Sequence, residues 1–255
     1  MRVTQIPPAT TDISSLATAS ALATVDANVD AIKAVTDTLT NKSLQCDVLT
    51  GSSGTWTNPG VESVYLLMIG DGGGGAAGSS YNWAGTFYGA EGGGGGEFFA
   101  GWIQVTGNQA YTIGQGGTGG TASNSNPSQD GGNGDGCTFG DIYVEGGIGG
   151  RGANNVAVNP GASGGGSFTG GYRAIGPTGP RGGTGTGPGV AGGNGAVSPL
   201  TGTGGGLGSA GNTTPSQPTD PGAGGGGGNS YDNGPSFDSN GGPGAKGYIA
   251  VFYYA

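Results

Sequence analysis

Residues 61–75 read VESVYLLMIGDGGGG, and two kinds of polymer meet inside them. Val61–Ile69 is apolar and bounded by the turn signal Pro59–Gly60, which predicts a strand. The glycines that follow cannot build an ordinary core, because they have no side chain to bury and lose the most backbone entropy on folding. The fold therefore turns on what such runs do. They recur at Gly92–Gly96, Gly116–Gly120, Gly146–Gly150, Gly164–Gly166, Gly204–Gly206 and Gly224–Gly228, interrupted in places. All 66 glycines of the 255-residue chain lie beyond residue 50.

Further strand signals surround the runs. GTWTNPG reads as a short strand and a turn, Glu97–Thr106 as a strand, and Asn108–Ile113 as its hairpin partner across Gly107–Asn108. Ile142–Glu145 is a short strand, and Gly247–Tyr254, GYIAVFYY, is the last. Trp56, Phe98, Trp102, Tyr111, Phe139, Tyr248, Phe252 and Tyr254 fall in these segments and are expected in the core. Collagen needs glycine at every third position, a period kept only over Gly176–Gly185. A flexible linker would be poor in aromatics, whereas aromatics are 8% of this chain. The expected scaffold is a bundle of polyglycine II helices, extended and bonded laterally to their neighbours.

The first fifty residues contain no glycine. Within 14–40, Leu22, Val29 and Thr36 fall at a positions and Val25, Ile32 and Leu39 at d positions of a heptad pattern. A seam of about three heptads is marginal alone in water. It must bury its stripe against the rest of the chain or against copies of itself, and β-branched residues at both positions favour a trimer. The expected organisation is an extended segment at 1–13, a trimeric coiled-coil stalk at 14–43, and a glycine-rich head with a few β-strands at 51–255. Residues 1–13 read equally as an exposed tail or as an attachment peptide.

Composition excludes several functions. There is no histidine, which removes His-based triads and Cys/His zinc sites. Cys46 and Cys137 are distant in sequence and read as two buried free thiols. Seven basic residues against sixteen acidic ones give a net charge of -9, which opposes nucleic-acid binding. No apolar run is long enough to span a membrane, and MRVTQIPPATTD lacks the apolar region of a Sec signal peptide. Glu91 with Glu97, and Asp232 with Asp238, form no recognisable paired-acid site. Asp130, Asp135 or Asp141 could ligate calcium, but their spacing is no more specific than that of the paired acids. No enzymatic activity, cofactor or metal is expected.

The succession GTWTNPGVESVYLLMIGDGGGG, GGGGGEFFAGWIQVTGNQAYTIGQGGTGG, GDGCTFGDIYVEGGIGGRG and GGPGAKGYIAVFYYA resembles the glycine-rich domain at the distal end of many phage tail fibres. In outline it covers most of residues 51–255. The architecture is also similar to that of polyglycine-sandwich adhesins of fibre tips. The resemblance implies a receptor-binding protein of the virion, made in the host cytoplasm without a signal peptide. It implies a homotrimer, joined through its N-terminus to a tail or baseplate protein, that recognises a bacterial surface polysaccharide or an outer-membrane protein. The alternative is a structural head or collar fibre with no receptor role.

Aromatic residues between glycine runs are the contact candidates, because rigid rings stack on sugars and on apolar protein patches. The first group is Tyr81, Asn82, Trp83, Phe87 and Tyr88, followed by Tyr172 with Arg173, and by Tyr231, Asp232 and Phe237.

Overall fold

The computed structural model describes residues 19–40, 42–78, 87–122, 129–152, 172–174, 184–185, 192–202, 206, 214–229 and 239–255. The chain divides into two units, Met1–Leu44 with Tyr254–Ala255, and Gln45–Tyr253. The first unit holds the helix α1 (Ala19–Thr40). Alanines at 19, 21, 23, 27, 31 and 34 favour it, and Lys33 bonds Asp37 one turn on at 2.9 Å.

The second unit is built on antiparallel sheets. Its strands are β1 (Leu44–Leu49), β2 (Ser53–Trp56), β3 (Ser63–Ile69), β4 (Phe87–Tyr88), β5 (Phe98–Gln104), β6 (Gln109–Ile113), β7 (Cys137–Phe139), β8 (Ile142–Val144), β9 (Tyr172–Ala174), β10 (Thr184–Gly185) and β11 (Tyr248–Tyr254). One sheet has the order β1-β11-β3-β5-β9, a second β2-β6-β7-β8, and β4 pairs β10 separately. Alternation in β3 turns Val64, Leu66 and Met68 to the interior. There they meet Phe99, Val105, Ile113, Cys137, Phe139, Val144, Ile249 and Val251 from both larger sheets. Each large apolar side chain fully buried here contributes about 1.5–3 kcal/mol.

Asp47 on β1 links the two sheets. Its Oδ2 accepts the Trp56 indole N–H at 2.8 Å and the Tyr253 hydroxyl at 3.1 Å. The Trp56 ring lies 5.8 Å from Phe139 and 5.9 Å from Tyr253. The turn before β3 closes on Asn58, whose Oδ1 accepts the amides of Gly60 and Val61, both at 2.9 Å. Gly60, at φ 96, occupies the left-handed position that a Pro-Gly turn requires.

These findings correct the expected trimeric coiled coil bearing a head of packed polyglycine II helices. The chain is a mixed α/β protein with one described helix and antiparallel sheets, and its core is made of large side chains rather than backbone alone. Runs of alternating apolar residues pair as sheets, because that buries their side chains. The glycine runs leave the ends of those sheets and carry no helix or strand assignment among the described residues. Among the described residues no coiled-coil seam forms. Val25, Val29 and Ile32 are exposed on a lone helix, and so is Val35, off the seam. The Thr36 hydroxyl donates to the Ile32 carbonyl of its own helix at 2.9 Å. The side chains of Leu22 and Leu39 lie outside the described residues.

Three smaller expectations change as well. β5 and β6 do not pair as a hairpin, because the turn between them carries the chain from one sheet to the other. Trp56 and Phe139 are core residues, whereas Trp102 is 58% and Tyr254 50% exposed. Cys137 is buried, but Cys46 is exposed.

Candidate functional site

Glycine-rich segments run out from the sheet ends and back. Residues 70–78, 114–122, 145–152 and 222–229 lead away, and 89–97, 129–136, 192–198 and 239–247 return. Segment 70–78 lies in the middle and is fully buried. Its amides serve its neighbours in rotation. Gly73 and Ala76 donate to Gly94 and Glu91, Gly74 and Ala77 to Gly132 and Gln129, and Gly75 and Gly78 to Gly242 and Ser239. Its carbonyls accept, in the same rotation, from Gly117 and Gly120, from Gly147 and Gly150, and from Gly225 and Gly228. These bonds join the segments into a hydrogen-bonded lattice. Glycine is required for the close approach: a Cβ at Gly74 would collide with the Thr118 carbonyl.

Single polar side chains seal the lattice where glycine gives out. At the sheet end Asp71 is fully buried, and its carboxylate accepts the amides of Gly116 at 3.0 Å, Asp135 at 2.7 Å and Gly136. Burial pushes its pKa above the ordinary carboxylate value, against the lowering effect of those same N–H donors. Glu97 Oε2 accepts the Glu145 amide at 2.9 Å. At the far end Asp130 accepts from Gly152 at 2.7 Å, Asn240 from Ala122 at 2.7 Å, and Ser239 Oγ from the Asn229 amide at 2.8 Å.

Four connections, 79–88, 123–128, 153–191 and 230–238, start and finish at the far end, whereas 199–221 is rooted at the sheet end. The roots of 79–88 and 230–238 are joined by the Gly78 amide on the Ser239 carbonyl at 3.0 Å and the Ala90 amide on the Gly228 carbonyl at 3.2 Å. Those of 123–128 are tied in by Ala77 to Gln129 at 3.0 Å and by Ala122 to Asn240. Segment 153–191 leaves after Gly152, beside Asp130, and returns at Gly192, next to the Gly193 amide that bonds the Ala90 carbonyl.

The sequence candidates map onto these connections unevenly. Tyr81, Asn82, Trp83, Tyr231, Asp232 and Phe237 lie outside the described residues, in connections whose roots are adjacent. Phe87 and Tyr88 form β4, opposite Gly185 and Thr184. Tyr172 and Arg173 lie in β9, opposite Ala100 and Phe99 at the edge of the five-stranded sheet rather than at the lattice end. Sequence reasoning missed the sealing residues Asp71, Asp130, Ser239 and Asn240. Their signal is a lone polar residue at the border of a glycine run.

Among the described residues no cluster of three or more His, Cys, Asp or Glu could hold a metal ion, and no helix is long and apolar enough to cross a membrane. The chain belongs to the glycine-rich domain family, which matches residues 48–254. No curated protein matches it.

Proposed function

We propose that this chain is a receptor-binding protein at the distal end of a phage tail fibre, and that it recognises a bacterial surface polysaccharide or an outer-membrane protein. The convergence of connection roots at one end of a rigid backbone lattice carries the reading. Such a frame tolerates change in the connections without change in the core, which is what host recognition asks of a protein. The aromatic residues of 79–88 and 230–238 supply the contact area. The protein acts by binding, not by chemistry, and its N-terminal segment joins it to a tail or baseplate protein.

Purified protein should label susceptible bacteria and block phage adsorption in competition. A folded preparation that does neither would refute the reading and leave a structural virion fibre in its place.

A further inference from the structure

The exposed faces of the two larger sheets differ in chemistry. On the four-stranded sheet Ser53, Thr112, Thr138 and Tyr143 stand in register, one from each strand. The row ends at a cavity of about 200 Å³ between that sheet and the start of the lattice. Ile113, Gly114, Gln115, Asp135 and Gly136 complete its lining. The Thr112 and Thr138 hydroxyls are 2.7 Å apart, and the Tyr143 hydroxyl reaches the Asp135 carbonyl at 3.3 Å. The Tyr143 ring is 45% exposed. Gly136, at φ 83, leaves it room, because a Cβ there would come within 2.8 Å of the ring.

We propose that this cavity binds a neutral hexose unit of a glycan, separately from the lattice end. Hydroxyls are both donors and acceptors and so match sugar hydroxyls of either sense. An exposed aromatic ring gives a sugar face something to stack on. A carboxylate and an amide fix orientation, as few polar groups do in most small-ligand sites. The lining contains no cation. Burial, followed by the negative charges of Glu145, Asp71 and Glu97, pushes the Tyr143 phenol above its ordinary value. The phenol spends its one proton on the Asp135 carbonyl and offers a sugar chiefly its ring face, while the neighbouring negative charges disfavour acidic sugars and phosphate. The site does not depend on the host-recognition reading, since failure to label cells would leave it standing.

The test is titration of the ¹⁵N-labelled full chain with millimolar glucose, galactose or N-acetylglucosamine, and with N-acetylneuraminic acid as the acidic probe. At least one neutral sugar should shift the Gly114 and Gly136 amides, and the acidic one should not. Tyr143→Ala should weaken binding about tenfold, the value of one aromatic contact. Tyr143→Phe, which keeps the ring and serves if the alanine variant misfolds, should stay within about threefold of the native protein. Absence of shifts with every neutral sugar, equal shifts with the acidic sugar, or unchanged affinity in folded Tyr143→Ala would each overturn the proposal.

Discussion

The Gly78 amide donates to the Ser239 carbonyl at 3.0 Å, across 161 positions of sequence, and so joins the roots of two connections rich in aromatic residues. Segment 70–78 makes bonds of this kind to six of the seven other lattice segments. The end of the lattice is therefore placed by backbone geometry. The stability of the lattice and the presentation of its connections should rise and fall together.

The lattice is tested by adding one methyl group. At Gly74 the new Cβ would strike the Thr118 carbonyl, and backbone on all sides cannot give way. Gly74→Ala should lower stability by about 1–3 kcal/mol or more in chemical denaturation. At Gly107 nothing lies within 4 Å of the new atom. Gly107→Ala should be neutral, or stabilising by up to about 1 kcal/mol.

Asp71 yields a pH prediction. Its folded pKa is raised above 3.8, with burial as the main cause. A raised folded value means that the folded state holds the proton more tightly than the unfolded chain. The associated stability is present below the ordinary pKa and is lost as pH rises through the folded one. The stability of the native protein relative to Asp71→Asn should therefore decline with rising pH across that window. A flat difference would show that the carboxylate does not titrate abnormally.

Much of this was legible in the sequence. The strands after Pro59–Gly60 and at the C-terminus come from largely apolar runs, and the structure places them as neighbours, β3 and β11. What failed to read were relations between segments. Nothing local tells that Val105–Asn108 changes sheets instead of folding back. Two-residue alternation from buried Phe99 puts Trp102 on the outer face, so that exposed residue could have been found. The heptad seam misled because spacing alone does not say whether Thr36 faces a partner or bonds its own helix. The sealing role of Asp71 was hidden because its donors lie 45 to 65 positions away.

The cysteines should differ sharply. Burial pushes the Cys137 thiol up to about 12, and its Sγ bonds the Ile69 carbonyl at 3.2 Å. Cys46 is exposed. A thiol reagent at neutral pH should modify one cysteine rapidly and the second only after denaturation, because the thiolate is the reactive form.

Asp47 should matter more than its partly buried position suggests. Asp47→Ala leaves both the Trp56 indole and the Tyr253 hydroxyl without their acceptor. The expected cost is about 1–3 kcal/mol, seen as a lowered denaturation midpoint.

On the proposed reading, host attachment depends on the connections at the lattice end. The most direct test replaces residues 79–88 with a Gly/Ser segment of equal length and measures binding of the purified protein to susceptible cells. Binding should be lost while the thermal transition of the sheet core stays in place. A folded variant that binds as well as the native protein would show that these connections do not carry host attachment.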